Sequence, residues 1–523
     1  MNRLISPSLL LLSALGLLAP GFARAQAEAS AETGPVATQK PSWLITPSVS
    51  VGATMTDNAR PGQGEKKGDL ITNLAPAIRI DGKGGRVSGN LHFSWQQNIY
   101  ANESAFNNDQ KSLNATGKAE LVEQWLFLDA NANIAQQATS VFGTQSVGNE
   151  LINNNRGQTT SYQWSPYIQG RFVGSADYEL RYRNMQTSAD AGVYATGSGV
   201  DTQAWSGRLS GATPLALLGW SLSAEDQRTK FAVRDTKSSR VLGTLEYRFD
   251  PQLKFNVSAG READNYSSLD LQNRTTSGYG ADWAPTERTK LTVKKDKRGF
   301  GDGHTIDFSH ATALTAWKLL DSRSVVVPGQ QQVASQLSPY YDLFNARVAL
   351  FPPSERAAQA SQLLQDFQAQ GISSAQIFGN IQSTQPFIQR MQQASVSLIG
   401  ANNTVTFSAQ RSSNQRLGTG TGLIDQDFLN TANIRQSGLS GSWAHKLTPY
   451  SSLTLNALTS RSQGDLATQD SRLRSLSLLY TTRLGARTTA AVGLRQNSFE
   501  NSGAGFGSSY DEHAITGSLS ASF

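Results

Sequence analysis

The sequence predicts an all-β fold, a transmembrane antiparallel β-barrel of about 22 strands (range about 18–22) that carries one partly helical insertion. Apolar residues recur at every second position, short and long connections alternate, and the last residues form a strand pattern with one apolar face. In the final stretch ITGSLSASF, serine and threonine alternate with a set of small or apolar residues: Ile515, Gly517, Leu519, Ala521 and Phe523. That alternation is the period of a strand with one apolar and one polar face.

The N-terminus has the features of a secretory signal peptide over residues 1–25. Arg3 precedes an apolar run, and the small residues ARA end at Ala25, where we expect cleavage before Gln26. A retained membrane anchor is the less favoured alternative. Residues 26–42 are small and polar and predict a flexible periplasmic lead-in, so the barrel is expected over 43–523. A lead-in without a plug domain argues against an energised iron-complex transporter.

The overall composition fits a barrel better than a helical membrane protein. Hydrophobic residues make up 38% of the chain, and the mean hydropathy is −0.38. Beyond the leader there is no apolar run near the ~18 residues that a spanning helix needs, whereas a barrel strand needs only its outward half to be apolar. The net charge of +6 is too small to indicate nucleic-acid binding. The chain has no cysteine, which excludes disulfides and thiolate metal sites.

Alternation is clearest in five stretches: RVSGNLHFSWQQNIY (86–100), LFLDANANI (126–134), ADYELRYR (176–183), VLGTLEYRF (241–249) and LKFNVSA (253–259). Charged residues fall on their polar side, where they avoid a lipid-facing cost of up to about 2–4 kcal/mol each. We predict that these charges line the lumen: Asp129, Asp177, Glu179, Arg181, Arg183, Arg208, Glu246, Arg248 and Lys294. Two roles stay open, namely cross-strand ion pairs and a mixed-charge lining that selects solutes. Tyr167, on the same side, could stack on sugar rings.

The connections predict which rim is which. Short turns fall at 81–85, 123–125, 173–175, 250–252, 284–287, 401–403, 447–450 and 484–486, and longer polar stretches at 55–68, 101–111, 138–157, 187–200, 415–429 and 500–508. Outer-membrane barrels place short turns in the periplasm and long loops outside. The tryptophans Trp125, Trp220, Trp283 and Trp443 lie near short turns, as in an aromatic girdle. Tryptophans in the core of a β-sandwich are the alternative. Residues 303–323 are interpreted as two strands with a turn near His310.

Residues 324–390 lack the alternation. PPSERAAQASQLLQDFQAQG (352–371) predicts a helix, with Ser354 as N-cap and Gly371 as its end. The insertion connects an outward strand to an inward one. It is therefore either a surface cap or a constriction that gates the pore, and it is the candidate to plug the lumen.

No catalytic pattern is found. None of the five histidines has the HExxH spacing, and there is no GxSxG turn. His92 and His513 are assigned to the polar, inward side, and a solvated position in the lumen accounts for them better than a catalytic role does. We expect no enzymatic activity, no cofactor and no metal site.

Three stretches resemble the outer-membrane proteins associated with PEP-CTERM/exosortase systems, which are encoded beside exopolysaccharide genes. They are WLITPSVSVGATMTDNA (43–59), DLITNLAPAIRIDGKGGRVSGNLHFSWQQNIY (69–100) and QPFIQRMQQASVSLIGANNTVTFSAQRSS (385–413). The resemblance implies landmark positions at Thr46, Pro47, Asp57, Asn58, Pro76 and Arg390. It also implies the outer membrane of a Gram-negative bacterium and a role near the export of polysaccharide or surface proteins.

Two functions are therefore expected as alternatives. One is a channel for exopolysaccharide or small polar solutes, and the other is a non-conducting structural or binding barrel that anchors surface polysaccharide or a partner protein. The expected partners are outer-membrane lipid, the barrel-assembly machinery, and exopolysaccharide or its export components. The alternating C-terminus from Ile515 to Phe523 is similar to the signal that the assembly machinery reads.

Overall fold

The computed structural model describes residues 43–172, 176–190, 199–215, 217–231, 234–327, 381, 383, 385–418, 427–428, 431–502 and 507–523. The chain divides into two units, Met1–Pro41 and Ser42–Phe523, and the second contains every strand given below. The predicted signal peptide, lead-in and helix at 352–371 lie outside the described residues.

The described part of the chain forms 22 strands. They are β1 Trp43–Thr56, β2 Asp69–Lys83, β3 Val87–Tyr100, β4 Asn108–Val122, β5 Leu126–Ala138, β6 Arg156–Phe172, β7 Ala176–Ala189, β8 Val200–Ala212, β9 Leu218–Lys230, β10 Thr236–Arg248, β11 Leu253–Asp264, β12 Gln272–Thr286, β13 Thr289–Arg298, β14 Gly301–Ala311, β15 Thr315–Val326, β16 Phe387–Ile399, β17 Asn403–Arg416, β18 Asn433–Thr448, β19 Ser451–Gln463, β20 Asp470–Arg483, β21 Thr488–Asn501 and β22 Tyr510–Ser522. A 3-10 turn, Ser104–Phe106, lies between β3 and β4. No helix among the described residues is long and apolar enough to cross a membrane.

Consecutive strands pair in antiparallel fashion, and β22 pairs with β1 to close the sheet. The closing register runs from Thr56 opposite Ala514 to Ser48 opposite Ser522. Beyond it, the Phe523 amide donates to the carbonyl oxygen of Pro47 at 2.9 Å. A closed ring has no free edge, so the predicted fold class, an antiparallel barrel of about 22 strands, is confirmed.

The wall has an apolar outer face and a polar inner face. Large exposed apolar side chains share one side of the sheet, among them Val51, Leu74, Trp95, Leu180, Leu222, Val257, Phe407, Leu439, Leu476 and Leu519. The opposite side carries Ser, Thr, Asn and charged residues, several of them buried. The strands have 10 to 17 residues, enough to cross a bilayer core when they are tilted.

The rims follow the predicted asymmetry. Connections after even-numbered strands are short, as at 84–86, 123–125, 287–288 and 449–450. We call this side the short rim. Most connections after odd-numbered strands are longer, as at 57–68, 139–155 and 417–432, and we call that side the long rim. The segment 303–323 does form two strands, β14 and β15, joined at 312–314.

Local chemistry accounts for irregular points in the wall. Gln124, in the short connection after β4, is the only described non-glycine residue with positive φ, at 55°, and this turn has no Gly, Asn, Asp or Pro to take that conformation. Pro76 has no amide hydrogen to donate, and the ladder between β2 and β3 lacks its pairs at residues 75 and 76. The ladder between β6 and β7 is interrupted in the same way at Pro166.

Candidate functional site

One hairpin leaves the wall at the long rim and folds into the barrel. The ladder between β4 and β5 ends at Leu113 opposite Ile134, but β5 continues beside β6 up to Ala138 opposite Arg156. The strands β4 and β5 therefore separate above Ile134. We call residues 135–158 the lumen hairpin. From Ile134 to Val141 an extended chain reaches at most about 25 Å, far enough to contact distant strands.

Two asparagines of the sequence NNN, Asn153 and Asn155, shape the tip of the lumen hairpin. The Asn155 side-chain oxygen accepts from Thr139 Oγ1 and from the Ser140 amide, both at 2.8 Å. Asn153 Nδ2 and Asn155 Nδ2 both donate to the Thr144 carbonyl oxygen, at 2.9 and 3.2 Å. Arg156 donates to the carbonyl oxygens of Gly148 and Ser146. The tip is thus held in one shape by its own side chains.

Side chains of the wall satisfy the backbone of this tip. Tyr510 Oη donates to Gln145 O at 2.7 Å, and Tyr100 Oη to Glu150 O at 2.5 Å. Further donors from β4, β20 and β21 are Gln110 to Asn149 O, Ser471 to Val141 O, Asn497 to Val147 O and Asn501 to Phe142 O. A buried loop is stable only where its polar backbone groups have partners. The wall provides those partners from strands on both sides of β1.

Apolar contacts fix the same hairpin at two places. Val141 and Phe142 pack in a buried cluster with Phe387 of β16, Phe428 and Ile434 of β18. At the other place, Leu151 and Ile152 pack with Ala59, Ile71 and Tyr100. These contacts and the hydrogen bonds run along an arc from β16 through β22 to β4. A segment that touches so many strands of a closed ring must lie inside it.

A buried ion cluster joins the hairpin to the wall. Arg495 of β21 lies 2.8 Å from Glu150 Oε1 and 2.7 Å from Glu512 Oε1. Asn497 Nδ2 and Thr56 Oγ1 donate to the carboxylate of Glu512 at 2.6 and 3.2 Å. Burial is the largest single influence and raises the pKa of Glu150, but the charge and hydrogen bond of Arg495, a backbone hydrogen bond and the charge of Arg156 together lower that pKa below its ordinary value of 4.5. Glu150 therefore stays ionised and paired.

Gly148 allows the approach of Arg495 to this cluster. Its φ is +108°, a conformation that favours glycine, and a Cβ there would lie 2.5 Å from Arg495 Nη1.

The substitution Arg495→Met is expected to release the hairpin. It removes the cation that both buried carboxylates share, which costs about 3–5 kcal/mol. Thermal unfolding in detergent, together with limited proteolysis of residues 139–155, measures the effect. We expect a lower melting temperature and faster cleavage.

Arg474→Met on the neighbouring strand is the matched control. The pair of Arg474 and Glu500 is exposed, with 50% and 56% of the side-chain surfaces accessible, so its loss costs about 0–1 kcal/mol. Equal destabilisation by the two substitutions would contradict the claim that the ion cluster holds the hairpin against the wall.

The nine predicted lining charges lie on the inner face, at mid-height of the wall or towards the short rim, spread over β5, β7, β8, β10 and β13. Three of them meet: Arg181 pairs with Asp129 at 2.7 Å and with Glu179 at 2.9 Å. Asp177 pairs with Arg171, and Glu246 with Lys254. Arg183, Arg208, Arg248 and Lys294 have no ion pair within the described part of the chain. The charges thus form dispersed pairs and free cations rather than one site.

Two assignments from the sequence are wrong. Tyr167 does not offer a free ring, because it stacks on Phe127 at 5.1 Å and carries the Arg181 guanidinium 3.8 Å from its centroid, which leaves the residue 4% exposed. His513 does not face the lumen. It shares the outward side with Ile515, and its ring contacts Asp57 at the long rim.

The sequence predicts residues 138–157 only as a long loop and places the plug candidate at 324–390, so the inward position of the lumen hairpin is a finding of the structure. The NNN run and Gly148 were the available signal. Among the described residues there is no cluster of three or more side chains able to hold a metal ion.

Comparisons with known proteins concern the wall. A family described as "Protein of unknown function, DUF481" matches residues 189–297, which contain β8 to β12. No curated protein sequence matches the chain.

Among solved structures, the chain is similar to the siderophore receptor PirA from Acinetobacter baumannii, with 8% identity and a TM-score of 0.47 over 92% of this chain and 80% of that one. The chain is also similar to the FrpB iron transporter from Neisseria meningitidis. The identity is 9% and the TM-score 0.47, over 91% of this chain and 81% of the transporter. A third similar structure is that of OccK2 (OpdF) from Pseudomonas aeruginosa in complex with glucuronate. The identity is 9% and the TM-score 0.34, over 92% of this chain and 98% of that one.

Proposed function

We propose that the chain is a non-enzymatic outer-membrane barrel that forms a passage for polar solutes, and that the lumen hairpin narrows its long-rim mouth. The observation that carries this proposal is the hairpin itself, folded inside the ring and bound to strands from β16 through β22 to β4. A ring of 22 strands is wide enough to enclose an aqueous lumen unless segments fill it.

The inner-face charges support a passage on the opposite side of the lumen. They lie on β5 to β13, the arc that faces the anchoring strands across the ring. Solutes that pass the hairpin would meet Arg181, Glu246 and Lys294 at mid-height of the wall or nearer the short rim. A lining that contains both positive and negative side chains excludes neither cations nor anions strongly. Such a lining favours polar, weakly charged solutes.

The finer proposal concerns biological role. The resemblance to proteins of PEP-CTERM/exosortase systems supports a link to exopolysaccharide export, in the outer membrane of a Gram-negative bacterium, after cleavage near Ala25. Outer-membrane lipid and the barrel-assembly machinery are the partners that such a barrel requires, and exopolysaccharide or its export components are the further proposed partners.

A non-conducting barrel that anchors surface polysaccharide or a partner protein is the second candidate. The dense anchoring of the hairpin favours it, because a mouth sealed by so many hydrogen bonds resembles a permanent cap more than a gate.

Planar-bilayer recording of the purified protein separates the two candidates. We expect discrete conductance steps, with the full chain and with a variant that lacks residues 328–380. Silence of both proteins would contradict the passage. In cells, deletion of the gene should leave polymer trapped in the periplasm if the barrel exports it, whereas normal secretion with poor surface retention would support anchoring.

A further inference from the structure

The outer face of β15 to β20 carries a concentration of arginines near the long rim. On β16 to β18, Arg390, Arg411 and Arg435 have the same orientation as the exposed apolar residues Phe407 and Leu439. The complete set, which we call the outer arginine patch, is Arg323, Arg390, Arg411, Arg435, Arg461, Arg472 and Arg474. Every member lies in the part of its strand towards the long rim.

The register places like charges directly opposite each other within this patch. Arg323 faces Arg390 across β15 and β16, and Arg461 faces Arg472 across β19 and β20. Like charges at directly opposite positions destabilise a sheet. On a lipid-facing wall, such an arrangement indicates that an anion from outside the chain offsets part of the repulsion between the arginines.

Carboxylates of the chain neutralise only part of the patch. Asp321 pairs with Arg390 at 2.7 Å and also with His304, Asp470 pairs with Arg461, and Glu500 pairs with Arg474 at 3.0 Å. Arg323 donates to the Asp302 carbonyl oxygen. Arg411, Arg435 and Arg472 have no ion pair with any described residue, and the first two are exposed. The patch therefore keeps an excess of positive charge.

A continuous groove runs from the patch towards the middle of the wall. Its upper part, about 780 Å³, is lined by Arg411, Arg461, Arg472 and Arg474 together with Asp321 and Gln392. Its lower part, about 900 Å³, is lined by Trp317, Leu319, Val396, Phe407, Leu439 and Leu476. Leu319, Ala394 and Leu439 line both parts, so the two are joined.

We infer that this groove binds a phosphorylated, multiply acylated glycolipid of the outer leaflet. Guanidinium groups bind phosphate in bidentate fashion, and basic residues at the edge of the apolar band bind anionic lipid headgroups. The phosphates lie against the outer arginine patch, and the acyl chains lie along Leu319, Phe407 and Leu439. This inference rests on the proposed outer-membrane orientation, in which the long rim faces outside.

Native mass spectrometry of the full-length protein in detergent tests this binding. Bis-phosphorylated hexa-acyl lipid A, phosphatidylglycerol and phosphatidylethanolamine are each added as probes. We expect the protein to retain lipid A, and the double substitution R461Q/R472Q to weaken retention by about tenfold or more. The matched control R228Q/K230Q removes two positive charges from the outward side of β9 towards the same rim, where Arg228 also has a carboxylate partner, Asp235. It should leave retention unchanged.

Four results would overturn the inference: equal loss in both double variants, equal retention of phosphatidylglycerol, displacement of lipid A by millimolar inorganic phosphate, or no retention of lipid A at all. Heat-modifiable mobility on a gel shows whether each variant is folded. If R461Q/R472Q does not fold, R411Q replaces it, because Arg411 has no described ion partner to disturb. The bilayer conductance is recorded separately, so a failure of lipid binding is distinguishable from a failure of the proposed passage.

Discussion

Replacing residues 140–154 by a short glycine-serine turn is expected to raise the single-channel conductance by about threefold or more. The lumen hairpin occupies the long-rim mouth and is bound there by six wall side chains that donate to its carbonyl oxygens. Its removal clears a segment that fills part of the lumen at the long rim. Planar-bilayer recording at fixed salt compares the variant with the full chain.

The control for this variant shortens a long-rim connection outside the anchored hairpin. Residues 267–271 belong to the connection between β11 and β12, which runs from 265 to 271, and include Leu269, which is highly exposed. Trimming them should leave the conductance unchanged. Equal conductance of the hairpin variant and the full chain would show that the hairpin does not restrict the passage.

Deletion of Phe523 is expected to reduce assembled barrel in the outer membrane by about tenfold or more and to leave unassembled protein in the periplasm. Phe523 ends the alternating outward set of Ile515 and Leu519, its side chain is 64% exposed, and its amide joins the closing seam at Pro47. Because this aromatic ring is exposed at the short rim, the barrel-assembly machinery can contact it from the outer side of the wall. Cell fractionation and heat-modifiable mobility measure the assembled fraction.

Phe249→Ala is the matched control for this deletion. Phe249 is 61% exposed and follows β10 at the same rim, but it lies within the chain. If the ring matters only as an interfacial anchor, the two changes should have equal effects. Unchanged heat-modifiable mobility after deletion of Phe523 would contradict an assembly signal.

The wall could be predicted because its information is local. Each strand shows its two faces over about ten residues, so the alternation around Val241 or Leu253 identifies a strand without any knowledge of its neighbours. The turn between β14 and β15 was predicted for the same reason. The alternation at the C-terminus likewise predicts the strand β22, whereas the pairing of β22 with β1 is a finding of the structure.

The lumen hairpin could not be predicted in this way, because its position depends on distant contacts. The Tyr510 hydroxyl meets Gln145 across a separation of 365 residues. The departure of β5 from β4 at Ile134 leaves no mark in the local pattern of polar and apolar residues. The outer arginine patch is also non-local, since Arg323 and Arg390 become neighbours only through the register of two strands separated by the insertion.

Site-directed spin labelling of β10 tests the two-faced wall most directly. The chain contains no cysteine, so single cysteines at positions 241 to 246 can each be labelled in protein reconstituted in liposomes. We predict that oxygen collisions dominate at Val241, Gly243 and Leu245, and that collisions with a water-soluble nickel chelate dominate at Leu242, Thr244 and Glu246. Equal access of the nickel chelate to all six positions, with no period of two, would contradict a barrel wall between lipid and water.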